Sequence, residues 1–427
     1  MDILILGGNG FIGLAVALRL EAEGHRITAL GRSVGRVNRQ HPNIRWKSAD
    51  LAQFENASGW HDLVQGHQVI VNCAGALQDG LRDDLAATQE RAMLALYQAA
   101  NEAGGRRIVQ ISARVEGAAG SLPFLATKAR ADRALAASGL DHVILRPALV
   151  VGRNAHGGTA LVRALAALPL VLPLVHAASP VETVALDDVA EAVALAVAGK
   201  IESGSDIDLA ASGQLSLGEV VAAHRAWLGL PATPVINLPA WIARPISLLA
   251  DLAGKLGWRS PLRSTAMTVM TEGVLSGPGT GAPFPLASLA ETLRRNPAGV
   301  QDLWFARLYL LKAPAILALS FFWLLSGTIP LFRLDAAAAH FLPLLPQGMA
   351  IAATLATCLL DIVLGLAVLV RPFARSALLG MLAVTMAYLA AATLVEPSLW
   401  LDPLGPLVKV VPSIFLTLAA LAILDER

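Results

Sequence analysis

Three glycines near the start of the chain, Gly7, Gly10 and Gly13, follow the apolar run Asp2-Ile3-Leu4-Ile5-Leu6 at GxxGxxG spacing. Glycines placed this way permit a tight bend, let an anion approach the backbone, and let a helix pack closely on a strand. A helical pattern through Leu14, Leu18 and Leu20 to Gly24 follows, and its first N–H groups are available to phosphates. The chemistry implied is a cradle for the pyrophosphate of a dinucleotide, with Phe11 and Ile12 inside the turn. The next apolar run, from Arg26 to Leu30, ends on Gly31-Arg32-Ser33, with Arg36 close behind. An acid at that point would hold ribose hydroxyls and repel a 2′-phosphate, whereas a guanidinium pairs with the phosphate through two hydrogen bonds. The expectation is NADP(H) in preference to NAD(H), with Arg32 and Ser33 at the phosphate.

Strand, glycine turn, helix and strand here fit within about 30 residues, the size of a βαβ unit. A signal peptide would need a basic start and a longer apolar core, so the expectation is a retained, cytosolic N-terminus. GxxGxxG, rather than GxGxxG, resembles the extended and atypical short-chain dehydrogenase/reductase superfamily. Val71-Asn72-Cys73-Ala74-Gly75 resembles that family's strand-four segment, and Ile108-Val109-Gln110-Ile111-Ser112-Ala113 its strand five with the active-site serine. Ile144-Leu145-Arg146-Pro147-Ala148 resembles strand six with its nicotinamide-side proline, and Val184 to Ala190 a late V-D-D-V-A segment. The resemblance implies an α/β Rossmann domain with a doubly wound parallel sheet. It also implies that Asp50 and Leu51 meet the adenine, that Cys73, Ala74 and Gly75 line the cofactor, and that Asp187-Asp188 starts a helix. The front half is similar, too, to the NADPH-holding accessory subunit of respiratory complex I.

Working members of the superfamily carry Tyr-x-x-x-Lys, in which the lysine holds the ribose and the tyrosine exchanges a proton with the substrate oxygen. Here the segment reads Phe124-Leu125-Ala126-Thr127-Lys128. Ser112 and Lys128 match the catalytic pattern, while Phe124 replaces the tyrosine and has no proton to give. Tyr97, the nearest tyrosine, lies well upstream. The pattern supports cofactor binding better than turnover. Other chemistries are absent: nine scattered histidines form no metal-binding pair, no Gly-x-Ser-x-Gly elbow occurs, and Cys73 and Cys358 are far apart.

Across 427 residues, 33 Lys+Arg face 32 Asp+Glu, a balance that argues against a nucleic-acid partner. Charged residues are 15% and apolar residues 55%, where a soluble domain carries about 25% charged. The deficit concentrates after Ala313. Three regions are therefore expected: 1–230, the Rossmann domain with a substrate-side insertion; 231–300, helical and linker; and 301–427, a membrane domain. Within the middle region, the segment from Trp241 to Leu252 has one greasy face that either covers the substrate cleft or lies on the bilayer, with the cleft preferred. A Gly/Pro-rich linker follows at 277–285.

Trp304, Phe305, Arg307, Tyr309 and Lys312 precede the first long apolar run, as aromatics and cations do at a cytosolic membrane edge. Candidate spans are 313–332, 347–370, 376–394 and 404–424; about 20 helical residues rise roughly 30 Å, enough to cross the hydrocarbon layer. Arg294, Arg295, Arg307 and Lys312, then Arg371 and Arg375, fall on one side, which places both termini and the N-terminal domain in the cytoplasm of a bacterium, at its inner membrane. This all-α transmembrane four-helix bundle resembles the DoxX-like membrane family. Asp361 lies deep in a span and is a candidate quinone or proton site, while Lys409 snorkels near the outer face.

Three readings follow. The first is a membrane-anchored NADP(H)-dependent oxidoreductase acting on a lipophilic carbonyl, isoprenoid or quinone. The second is a non-catalytic NADPH-binding protein that senses redox state or stabilises a membrane complex, with a protein partner or a second copy. The third is a transporter with a regulatory nucleotide domain.

Overall fold

The computed structural model describes residues 1–75, 80, 84–113, 118–275, 277, 279–342 and 344–425; position 278 of the expected linker lies outside them. The chain forms two compact units, Met1–Asp251 with Ser260–Leu303, and Leu252–Arg259 with Trp304–Arg427. The stretch 231–300, expected as a region of its own, is divided between them.

The first unit is built on parallel strands β1 (Asp2–Leu6), β2 (Arg26–Gly31), β3 (Arg45–Ser48), β4 (Val69–Asn72), β5 (Arg107–Ile111), β6 (His142–Pro147), β7 (Ser205–Leu209) and β8 (Thr280–Gly281), in the order β3-β2-β1-β4-β5-β6-β7-β8. The order reverses between β1 and β4, and crevices at such points receive ligands. Alternation along β1 explains why its apolar run is unbroken. Ile3 and Ile5 pack on one face with Val16, Ala17 and Leu20 of helix α1 (Phe11–Ala22) and with Val189 and Val193. Leu4 and Leu6 pack on the other, with Trp60, Met93, Leu96 and Leu135. A sheet buried on both faces requires apolar side chains at every position.

The helix Leu217–Trp227 opens with a capping box, Ser216 with Glu219, and buries His224 completely. Its Nδ1 lies 2.8 Å from the Val220 carbonyl oxygen, and Nε2 has no hydrogen-bond partner. Burial pulls the imidazole pKa from 6.5 to about 4; the Val220 carbonyl opposes the shift and Arg163 adds to it. The unfolded ring takes up a proton that the folded ring refuses, so this contribution to stability is fully present above pH 6.5 and is lost as pH falls toward 4. The expected loss is on the order of 3 kcal/mol. Thermal melts of the full chain between about pH 7 and pH 4.5 should show a decline that is shallower in His224→Leu.

The second unit contains the apolar helices Lys312–Thr328, Gln347–Ala367, Arg371–Val395 and Pro406–Ala422, packed around Leu319, Trp323, Ala374, Leu378 and Met381. Among the described residues, three helical segments are long and apolar enough to cross a membrane: Lys312–Phe341, Gln347–Ala367 and Arg371–Val395. The fourth expected span, 404–424, is a shorter helix of 17 residues, about 25 Å long. It starts late because Gly405 adopts a left-handed conformation (φ 58°) and Pro406 opens the helix.

Candidate nucleotide site

All eight strands are parallel, so the C-terminal ends of β1, β2, β4, β5 and β6 share one edge of the sheet. That edge gathers the glycine turn, Arg32, the Cys73-Ala74-Gly75 segment, Ser112 and Pro147. Gly7 has a positive φ of 68°, and a Cβ there would lie 2.8 Å from the Ala74 Cα. Gly10 N–H donates to the Gly7 carbonyl (2.8 Å), and a Cβ on Gly13 would sit 2.2 Å from that same oxygen. The turn is thus pulled tight against both α1 and the end of β4. No side chain caps α1 at Gly10, so the first-turn N–H groups of Phe11, Ile12 and Gly13 are donors without intrahelical partners. A cradle that side chains would fill, at an uncapped helix start, fits a pyrophosphate.

Asn9 ties this turn to the loop after β2, its amide donating to the Ser33 carbonyl (3.0 Å). Arg32 and Ser33 are exposed beside it, and the Ser48 hydroxyl donates to the Arg32 carbonyl (3.1 Å). Asp50 accepts from Ala52 N–H (3.2 Å), capping a short turn that buries Leu51. At the end of β4, Asn72 accepts from Ala74 N–H (3.0 Å) and donates to Gln110 (2.9 Å), which fixes the course of residues 73–75. Burial pushes the Cys73 thiol pKa up to about 12, against the pull of Lys128.

Helix α2 (Pro123–Ala137) carries the remaining polar groups. The Lys128 ammonium donates to the Ile111 carbonyl at the end of β5 (3.0 Å), and a Cβ on Gly75 would lie 3.5 Å from its Nζ. Burial lowers the Lys128 pKa, while Asp132 and Cys73 oppose that. Phe124 stands on the first turn of the same helix. Ser112 is buried, and its hydroxyl donates to Asp132 Oδ2 (2.5 Å). Arg146 donates to the same oxygen (2.9 Å), to the Ala113 carbonyl (2.9 Å), and through a fork to Asp206 (2.7 and 2.9 Å). Burial raises the Asp132 pKa, opposed by Ser112, Arg146 and Lys128. Pro147 closes β6, beside the bond from Ala148 N–H to the Leu209 carbonyl (3.0 Å).

Asp132 was not anticipated, although residues 124, 128 and 132 recur at i, i+4 and i+8 and so share a helix face. His156, whose ring stacks on Phe11 (centroids 5.7 Å apart), was also missed; no motif marks it. Asp187 and Asp188 occupy the first turn of the helix Leu186–Val197, and Asp188 accepts from Ala287 N–H (2.7 Å). Among the described residues no cluster of His, Cys, Asp or Glu could hold a metal ion.

In the second unit Asp361 is buried, accepting from the Ser326 hydroxyl (2.8 Å) and the Tyr388 hydroxyl (3.2 Å). Close packing encloses it, since a Cβ on Gly327 would lie 3.0 Å from the Asp361 Cβ. Lys409 is exposed.

Residues 7–199 match the NAD(P)H-binding family and residues 320–418 the DoxX-like family. Over 239 residues the chain is 29% identical to uncharacterized proteins of Mycobacterium tuberculosis and Mycobacterium bovis, an alignment covering 55% of this chain and 24% of each relative. The chain thus spans about a quarter of the length of these curated relatives. A chloroplastic epimerase family protein homolog of Arabidopsis thaliana is 33% identical over 75 residues, 18% of this chain and 21% of that one. Among solved structures, the Bordetella bronchiseptica enzyme WbmH in complex with NAD+ superposes with a TM-score of 0.50 at 18% identity, covering 72% of this chain and 98% of that one. The gox2253 structure gives 0.52 at 20% identity, covering 72% and 99%. At these identities the likeness is one of fold.

Proposed function

We propose that this chain, an NAD(P)-binding Rossmann domain joined to a DoxX-like domain with membrane-spanning helices, keeps NADP(H) bound at the cytoplasmic face of a bacterial inner membrane, as a holding and redox-sensing protein. The observation that carries this reading is the fate of the catalytic groups. The Ser112 hydroxyl is spent on buried Asp132, and Phe124 offers no proton where the superfamily's tyrosine would stand. What remains is binding apparatus.

The N–H groups of Phe11, Ile12 and Gly13 take the pyrophosphate, Lys128 the nicotinamide ribose, and Arg32 with Ser33 the 2′-phosphate. Asp50 and Leu51 border the adenine, Cys73, Ala74 and Gly75 form a wall, and Pro147 flanks the nicotinamide. When bound, the nicotinamide supplies hydride chemistry. The Lys128 ammonium, held by the Ile111 carbonyl, contributes a positive charge toward that end. Arg294, Arg295, Arg307 and Lys312, with Arg371 and Arg375, support the cytoplasmic orientation.

A second reading, an oxidoreductase on a lipophilic carbonyl, isoprenoid or quinone, is favoured by the retained Lys128 and by buried Asp361, which accepts from the Tyr388 hydroxyl. Titration of the detergent-purified full chain separates the two. NADPH should bind tighter than NADH; Arg32→Glu should cost NADPH about tenfold, or 1.4 kcal/mol, and leave NADH nearly unchanged. Lys128→Ala should weaken both, and no NADPH oxidation should accompany carbonyl or quinone addition. Steady oxidation abolished by Lys128→Ala selects the second reading, and absence of any NADPH affinity sinks both.

A further inference from the structure

The helix α3 (Ala240–Lys255) is amphipathic the wrong way round for a helix that packs by its greasy face. Its inward positions are small or polar: Ser247, Ala250 and Gly254 are buried. Its large apolar side chains point out: Trp241 is 71% exposed, Leu248 65%, Leu249 66% and Leu252 56%. These positions recur at helical spacing and so form one stripe, with Arg244 and Lys255 exposed along it. Val235, Ile236 and Leu170, also exposed, lie on neighbouring backbone: Val235–Leu238 pairs with Leu172–Val175, and Thr233 donates to the Leu170 carbonyl (2.9 Å). A row of exposed large apolar side chains along one helix face marks a contact with something apolar. The expectation that this face covers a cleft is therefore not met.

Where α3 leads identifies the occupant. Its continuation Leu252–Arg259 belongs to the second unit. There Trp258 donates through Nε1 to the Leu369 carbonyl (2.6 Å), and Arg371 N–H donates to the Leu256 carbonyl (3.0 Å). The Arg371 guanidinium lies over the Trp258 ring, 5.5 Å from its centroid. Leu369 lies in the short connection between the apolar helices Gln347–Ala367 and Arg371–Val395, and Arg371 opens the second of them. The segment that follows α3, Leu256 to Trp258, is thus fastened within the second unit to the polar end of two membrane-length helices, the level at which tryptophan and arginine anchor a protein to headgroups.

We infer that α3 lies in the plane of the bilayer surface, with Trp241, Leu248, Leu249 and Leu252 in the acyl boundary and Arg244 and Lys255 at the lipid phosphates. An apolar face with tryptophan and leucine beside basic residues is the composition of an interfacial helix. No nucleotide chemistry enters this assignment.

Nitroxide labels on Leu249→Cys, Leu359→Cys and Glu202→Cys test it in the full chain, reconstituted in phosphatidylethanolamine–phosphatidylglycerol vesicles. The labels are introduced in a Cys73→Ser, Cys358→Ser background, because Cys73 is only partly buried and neither native thiol should take label. The label at 249 should be relaxed by oxygen and protected from a water-soluble nickel chelate, as at 359 within a span, while 202 shows the reverse. Leu248→Cys repeats the measurement if the first variant folds poorly. Access of the chelate to 249 equal to that at 202 overturns the proposal. So does shielding from both reagents, which marks a protein partner or, if it disappears on dilution in lipid, a second copy. An aqueous label at 359 overturns it by removing the bilayer itself.

Discussion

Gly13→Val, purified as the full chain in detergent, should lose NADPH affinity by about 100-fold or more, roughly 3 kcal/mol. A Cβ at this position would stand 2.2 Å from the Gly7 carbonyl oxygen. That oxygen cannot retreat, because it accepts from Gly10 N–H at 2.8 Å and Gly7 itself is pressed against Ala74. The added side chain must therefore push α1 away from the turn, and the N–H groups that would meet the pyrophosphate go with it. Overpacking of this kind also lowers stability by about 1–3 kcal/mol, so the affinity is measured well below the variant's melting temperature. Gly24→Asn is the control: its backbone is left-handed (φ 84°), which asparagine tolerates, nothing lies within 4 Å of its Cβ direction, and it is at the far end of α1. Binding lost equally in both variants, or retained in Gly13→Val, contradicts the assignment of the turn.

Arg146→Ala should be among the most destabilising single changes in the nucleotide-binding unit, costing about 3–5 kcal/mol. The side chains of Asp132 and Arg146 are 4% and 13% exposed, so deleting the arginine strands a buried carboxylate beside Ser112. Asp206, the other partner of Arg146, is 45% exposed; Asp206→Ala should cost less than about 1 kcal/mol, as surface pairs do. Asp132→Asn added to Arg146→Ala should recover part of the loss, because the stranded charge disappears with its partner. Thermal midpoints of the four proteins decide the matter. Equal effects for Arg146→Ala and Asp206→Ala would show that the buried pair contributes nothing special.

The glycine turn and the strands behind it were legible because their requirements are local: each is set by a few neighbouring residues and by burial on both faces of the sheet. The apolar C-terminal region was legible from composition. The Asp132–Arg146 pair was not, because it joins a helix to a strand, and an acid on a helix of mixed polarity reads as a solvated face. Ser112 illustrates the same gap: its position at the end of β5 could be read, but the direction of its hydroxyl depends on Asp132. In the membrane region, Asp361 stood out as a lone acid, while its partners Ser326 and Tyr388 come from two other helices. The late start of Pro406–Ala422 turned on the backbone conformation of one glycine. For α3 the greasy periodicity was plain, but periodicity does not say which side of a helix faces protein.

The path of the chain through its two units has a practical consequence. Residues 252–259 serve the apolar helices, residues 260–303 return to the sheet, and only then does the polypeptide go back for good. No single cut yields two intact pieces. Severing near 300 would leave the helical fragment without Trp258 against the carbonyl that follows Val368, and severing near 251 would deprive the sheet of β8. Dissected fragments should therefore behave worse than either half does in the uncut molecule.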